Sequence, residues 1–255
     1  MRLPSPSKAV KDLVESNFFA FSSNDLRKIY GISSIYAYRL IKRMLRDNII
    51  IKLWRGFYII DKRLVKGVPV EAYIDSMFRG NQYYFGLRYA ASYWRLSDMI
   101  PYTIHVLTTK KEFSGRSIVI FGEKFRFIYV SKDKFFGYTR IPHQVSQINI
   151  STSEKTFVDS LLFLGRYVSF EDICKMITLG KRKVKWEKVV EYAIKTRKKS
   201  LIQRAGYLLD LFNIDVDLKE LIKRIGKNPI LLDPKRHKNN AEYSKKWRII
   251  VNNKC

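Results

Sequence analysis

Acid, cysteine, histidine and long apolar runs are all scarce in this chain, and each shortage removes a class of explanation. Two cysteines, Cys174 and Cys255, are too few for a disulfide framework and stand at no metal-ligand spacing, so both read as inert thiols. His105, His143 and His237 are scattered with no HxxxH or CxxC partner, so neither a metal nor a cofactor is expected. No run reaches the roughly 18 apolar residues that a membrane-spanning helix needs. The opening MRLPSPSKAVKDLVES has neither the apolar centre of a signal peptide nor a lipidation signal, which predicts a cytoplasmic protein with no membrane partner. Asp and Glu number 23 against 49 Lys and Arg, a net charge of +26. A surplus of that size implies nucleic acid or an anionic membrane as the working partner, the membrane being the weaker choice. What is abundant is core material: of 255 residues 46% are hydrophobic and 14% aromatic, enough for one or two packed domains.

The most informative stretch is Asn24–Ile60. Two short helical patterns flank Gly31-Ile32-Ser33, and an apolar run broken by Arg55-Gly56 follows as a two-residue hairpin, the order of a winged helix-turn-helix. Ser22 or Ser23 can cap the first helix and Ser33 or Ser34 the second, because their hydroxyls accept from unpaired first-turn amides. At 100° per residue, Ala37, Leu40, Ile41, Met44 and Leu45 of the second helix point inward, whereas Ile35, Arg39, Lys42, Arg43 and Arg46 point outward. Like charges at this spacing repel by a few tenths of a kcal/mol per pair, so the stripe makes sense against a polyanion. The expected DNA-binding residues are Ser33, Ser34, Ile35 and Tyr36 at base edges, Arg39, Lys42, Arg43 and Arg46 at bases or phosphates, and Lys52 and Arg55 on the wing. A helix over about 5–16, with Ala9, Val10, Leu13 and Val14 on one face, completes a three-helix bundle.

Val65-Lys66-Gly67-Val68-Pro69 breaks both periodicities and reads as a linker. Beyond it, Val70–Arg79 and Phe85–Leu96 carry helical patterns rich in Tyr and Phe. Beside Arg79, Arg88 and Arg95 these rings offer a base-stacking surface, but their spacing favours an aromatic core. Strands are predicted at Thr103–Thr108, Ser117–Phe121, Phe125–Val130 and Gln147–Ile150, the first three as antiparallel hairpins. Ser151-Thr152-Ser153-Glu154 fits a capping box that starts a helix, with Asp159 left to solvent or an ion pair. Helices are predicted at Phe170–Leu179, Trp186–Thr196, Ser200–Phe212 and Val216–Ile225, and closing strands at Pro229–Asp233 and Trp247–Val251 around a mobile basic loop. The fold class expected is α+β: a winged helix-turn-helix over 1–64, a linker over 65–69, and a larger mixed α/β domain over 70–255. That domain has a small, largely antiparallel sheet and a helical C-terminal part, with room for a helical subdomain over about 166–226.

Residues 171–255 carry 22 Lys and Arg against 10 Asp and Glu, the most basic third of the chain. Two runs within it, Lys181, Arg182, Lys183 and Lys185, then Lys195, Arg197, Lys198 and Lys199, flank one helix and form a candidate second phosphate-facing patch. Catalysis has one candidate, Asp233-Pro234-Lys235, which resembles the acid-plus-lysine of Mg²⁺-dependent nucleases. The strands Thr103–Thr108 and Phe125–Val130 hold no Asp or Glu to complete such a site, so no enzyme activity and no catalytic residue is expected.

Four strings in order resemble the AbiEi family, antitoxins of type IV toxin–antitoxin (abortive infection) systems. They are Trp54-Arg55-Gly56-Phe57-Tyr58 at the wing, Ile150–Asp159 where a strand enters a capped helix, Leu201–Leu209 with Arg204-Ala205-Gly206-Tyr207-Leu208, and Leu232-Asp233-Pro234 with Trp247–Asn252. The resemblance covers most of the chain. It implies an N-terminal domain that binds double-stranded operator DNA and represses its own operon, and a C-terminal domain required for antitoxicity. The opposed toxin would be nucleotidyltransferase-like, with no stable complex required. The alternatives are a metal-dependent nuclease and a stand-alone transcription factor.

Overall fold

Ser5 accepts a hydrogen bond from the Lys8 amide and Pro6 occupies the first turn, where its missing N–H has no partner to lose, so α1 (Pro6–Glu15) starts where the pattern predicts. The structure, a computed structural model, describes residues 4–54, 56–238 and 241–255. After β1 (Ala20–Ser22), Ser22 and Asp25 form a reciprocal capping box at the head of α2 (Ser23–Tyr30). Gly31 ends that helix at φ 61°, a left-handed conformation that glycine adopts without strain. Ser33 caps α3 (Ser34–Arg46) by accepting from the Tyr36 amide. Ala37, Leu40, Ile41 and Met44 are buried as predicted, and Leu45 is half-buried. The chain then forms β2 (Ile50–Trp54) and β3 (Phe57–Ile60), which pair antiparallel, with β1 added on the far side of β3. Three residues between two helices are too few to show a period, so β1 is absent from the sequence reading.

Residues 65–69 carry neither helix nor strand, and α4 (Val70–Phe78) follows. The Ser76 hydroxyl accepts from the Ala20 amide at 3.0 Å and donates to the Ala20 carbonyl at 2.9 Å, tying α4 to β1. Arg79 reaches the capping carboxylate of Asp25 at 2.7 Å and lies 3.8 Å from the centre of the Phe18 ring. The winged module and α4 therefore belong to one compact unit, which runs to Tyr83 and includes Ser117–Lys124 and Arg140–Asn149. A second unit holds Tyr84–Arg116, Phe125–Thr139 and Ile150–Cys255.

The larger sheet contains β4 (Tyr83–Gly86), β5 (Thr103–Thr108), β6 (Ser117–Ile120), β7 (Glu123–Tyr129), β8 (Tyr138–His143) and β9 (Ser146–Ser151), in the order β6-β7-β5-β4-β9-β8. It is mixed, because β4 and β9 run parallel with Phe85 opposite Ile150. Two expectations are corrected here. Phe85 belongs to a strand, and the helix α5 (Leu87–Tyr93) begins only after it. All four β4 residues are buried, so the strand lacks the alternation that would announce it. Moreover β7 lies between β5 and β6, so those two strands are not neighbours in a hairpin series.

In the second unit, α6 (Ser153–Leu162) packs against α5, α7 (Phe170–Gly180), α8 (Trp186–Lys195) and α9 (Lys199–Leu211). The cap of α6 is Thr152, which accepts from the Lys155 amide, and not Ser151; Glu154 instead accepts from the Ser153 hydroxyl and the Lys185 amide. α10 (Lys219–Ile222) is shorter than predicted. A last sheet joins β10 (Ile230–Leu231), β11 (Glu242–Ser244) and β12 (Ile249–Val251) in the order β10-β12-β11, so part of the loop read as mobile is a strand. Gly206 sits in mid-helix because a Cβ there would come within 2.0 Å of the Trp247 indole. Trp247 is itself buried and donates its indole N–H to Asp210 at 2.9 Å. Among the described residues, no helix is long and apolar enough to cross a membrane.

Lys155 and Asp159, one turn apart on α6, form an ion pair with side chains 1% and 0% exposed. Tyr84 donates its hydroxyl to the second Asp159 oxygen at 2.9 Å and accepts from Lys155 at 3.2 Å, and the ammonium also faces the Phe136 ring at 4.8 Å. Burial pushes the Asp159 carboxyl up and the Lys155 ammonium down, and their mutual attraction opposes both. Removing one partner strands the other charge, so Asp159→Leu and Lys155→Met should each destabilise by about 3–5 kcal/mol, and the double Lys155→Met/Asp159→Leu variant by less than their sum. Urea unfolding of the three variants measures this.

The cysteines overturn their sequence reading as inert thiols: Cys174 on α7 is bonded to Cys255 across a separation of 81 residues. That distance gives no local signal, which is why composition alone missed it. Closing a loop of this length stabilises by about 4–5 kcal/mol in the chain-entropy model, with about 2–4 typical. Cys255→Ser should lower the denaturant midpoint accordingly, and reductant should destabilise the parent but not the variant.

Candidate nucleic-acid interface

Residues 33–46 gather the predicted contacts on one face of α3. Ser33, Ser34, Ile35, Tyr36, Arg39, Lys42, Arg43 and Arg46 are all exposed, Ile35 to 64%. A branched aliphatic side chain that exposed at the start of a cationic helix has no packing role within its own unit. Arg39 lies over the Tyr36 ring at 5.7 Å and Lys42 over the Tyr38 ring at 5.0 Å, each pairing a guanidinium or ammonium with a π face. Arg46 pairs with Asp47 at 3.0 Å, whereas Arg39, Lys42 and Arg43 have no carboxylate partner among the described residues. Tyr38, 55% exposed, belongs to this face and was missed by sequence reasoning; its four-residue spacing from Lys42 was the available signal.

On the wing, Lys52 is exposed on β2, and Trp54 stacks on Phe57 at 4.9 Å across the turn. Gly56 takes φ 78° there. The expected contact Arg55 lies outside the described residues.

The second basic patch is more dispersed than its sequence suggests. Lys181, Arg182, Lys183 and Lys185 stand between α7 and α8, Lys195 ends α8, Arg197 and Lys198 follow it, and Lys199 opens α9, all exposed. The 10-residue α8 keeps the two groups about 15 Å apart. None of the eight has a carboxylate partner among the described residues. Lys181 donates to the Phe212 carbonyl at 2.9 Å, and Lys195 lies over the Phe136 ring at 4.4 Å. The aromatic helical stretches are core: Tyr73, Phe78, Tyr83, Tyr84 and Phe85 are buried, and only Tyr93 of that set is exposed.

Asp233, the one catalytic candidate, is buried. It accepts from the Lys235 amide and from the Asn253 side chain, both at 2.9 Å, so its carboxylate organises a turn. Among the described residues, no group of three His, Cys, Asp or Glu side chains could hold a metal ion. His143 lies 3.4 Å from Glu71. His105 is buried in β5 against Tyr167, with its Nδ1 unpartnered. No protein-family model matches this chain, and no curated protein matches it.

Burial, then the positive charges of Arg88 and Arg126, draws the His105 pKa down to about 4. An unfolded histidine titrates near 6.5, so between pH 6.5 and 4 the unfolded chain binds the extra proton and stability falls as pH falls. Going from pH 7.5 to 5 should cost about 2 kcal/mol through this residue. Urea midpoints at the two pH values should differ correspondingly less in His105→Phe.

Proposed function

We propose that this protein is a sequence-specific DNA-binding repressor of the AbiEi antitoxin type, acting in the cytoplasm without catalysing a reaction. The observation that carries the proposal is the outward face of α3, where Arg39, Lys42 and Arg43 stand without carboxylate partners beside exposed Ile35, Tyr36 and Tyr38. Such a helix, capped by Ser33 and followed by a two-stranded wing, matches in size and charge the major groove of B-DNA, which admits one helix. Ile35 and Tyr36 would meet base edges or thymine methyls, while Arg39 would read a guanine or hold a phosphate. Lys52 and Arg55 would follow the backbone from the wing. The basic groups at either end of α8 would add phosphate contacts without sequence preference. By the resemblance, the second function would be antitoxicity against a nucleotidyltransferase-like toxin with no stable complex required.

With the full chain and a binding site selected from random duplexes, Arg39→Ala should weaken specific binding by about 1–3 kcal/mol at matched salt. Neutralising Lys181, Arg182, Lys183, Arg197, Lys198 and Lys199 together should lower affinity equally for selected and random DNA. It should also flatten the slope of log K against log salt by about 0.9 per lost phosphate contact. Unchanged affinity in Arg39→Ala would remove α3 from the interface. Antitoxicity is checked separately, by whether co-expression restores growth to cells making a nucleotidyltransferase-like protein encoded beside this chain.

A further inference from the structure

The second unit contains a cavity of about 440 Å³, within the range of small-ligand sites, whose only charged lining side chains are cations: Lys134, Arg166 and Lys198. They come from three separate parts of the chain, the turn before β8, the loop after α6 and the residue preceding α9. Lys134 is held at 2.9 Å by Asp133, a side chain 58% exposed, but neither Arg166 nor Lys198 has a carboxylate partner among the described residues. A fourth cation stands behind them. Arg204 donates to the carbonyls of Leu231 and Leu232 at 2.9–3.1 Å and has no carboxylate within ion-pair reach among the described residues. Lys198 is exposed overall, yet burial, then Arg204, then Lys134, draws its ammonium below the ordinary lysine value. The positive charges are thus near enough to raise one another's cost, and like charges gathered around a partly desolvated space only destabilise the fold that holds them.

An anion with several acceptor oxygens would offset that repulsion. Phosphate suits a guanidinium fork beside two ammonium groups better than a single carboxylate does, since it spreads charge over three oxygens. Apart from Ser131, the rest of the wall is apolar and aromatic, with Tyr129, Leu162 and Phe163 lining the same space. That composition fits a ligand with one strongly anionic end and one flat, weakly polar body. We propose that this cavity is a nucleotide-binding site, with the phosphates on Lys134, Arg166 and Lys198 and the base against Tyr129 and Phe163. The site shares Lys198 with the basic patch at the end of α8, but it requires no duplex and none of α3.

Calorimetric titration of the full chain with ADP, GTP and pyrophosphate, at ionic strength fixed with sodium chloride, tests the assignment. Saturable binding of a nucleotide is expected, lost at least tenfold in Arg166→Gln/Lys198→Gln. Without ligand, that variant should melt no lower than the parent, since removing like charges removes repulsion. Lys227→Gln/Lys245→Gln makes the same charge change at exposed positions outside the cavity and should bind as the parent does. Lys134→Gln, a milder change, should weaken binding if the double variant fails to fold. Pyrophosphate binding as tightly as either nucleotide would overturn the base contact. Absence of binding by all three probes, or equal loss in the Lys227→Gln/Lys245→Gln control, would overturn the site itself. Neither result bears on the α3 contacts, and loss of operator binding in Arg39→Ala does not touch this site.

Discussion

The second unit depends on one ionic contact made where water does not reach. Lys155 and Asp159 stand on the helix around which α5, α7, α8 and α9 pack, and Tyr84 closes the pair from β4. Two charges taken out of water cost several kcal/mol each, and their attraction offsets this only when geometry and hydrogen bonds are nearly complete. Both Asp159 oxygens are occupied, and the ammonium has the carboxylate, the Tyr84 hydroxyl and the Phe136 ring around it. Satisfying all of these together fixes the rotation of α6 and its offset along β4. The pair therefore specifies how helix meets sheet more than it adds net stability.

This arrangement explains much of what sequence reasoning could and could not recover. The winged module was legible because its signals are local: Ser22 and Asp25, Gly31, Ser33, and an inward stripe at helical spacing on α3. The cationic face of that helix was equally legible, since the same periodicity that buries Leu40 and Met44 exposes Arg39 and Arg43. Where burial is two-sided the signal vanishes, as in β4, whose residues Tyr83 to Gly86 carry no alternation and merged with the helix after them. At α6 the capping-box pattern was misplaced by one residue, because Ser151 and Thr152 are chemically alike and only the end of β9 decides between them. Asp159 was read as bound for an ion pair or solvent. Its partner one turn earlier was visible, but the burial of both was not. The Cys174–Cys255 bond and the cavity at Arg166 depend on residues brought together from far apart in the chain, for which one sequence has no local signature.

Charge is the other organising theme. A surplus of +26 is a standing source of repulsion, and the protein handles it unevenly. Some cations are matched inside their own unit, as Arg140 is by Asp75 at 2.8 Å and Arg88 by Asp172 at 2.6 Å. Others have no carboxylate partner among the described residues: Arg39, Lys42 and Arg43 on α3, the groups at the ends of α8, and Arg166 and Lys198 at the cavity. That division is what a surface selected for anionic partners would produce, since a cation already paired has less to gain from a phosphate. The disulfide adds a constraint of a different kind. Such bonds persist in oxidising compartments and in intracellular proteins of hyperthermophiles, and are rare in the cytosol of mesophiles.

The hydroxyl of Ser76 carries a consequence for descent. Winged modules spread through protein families by recombination, which requires a seam where few contacts cross. The segment over 65–69 looks like such a seam in the sequence, yet the strand at Ala20 shares both of its peptide groups' hydrogen bonds with Ser76, and Asp25 shares its capping carboxylate with Arg79. A gene fusion made at residue 65 would leave the Ala20 peptide groups without Ser76 and the Asp25 carboxylate without Arg79. The inheritable module is the one that ends after Arg79, so relatives that borrowed this winged part should carry α4 with it, whatever follows.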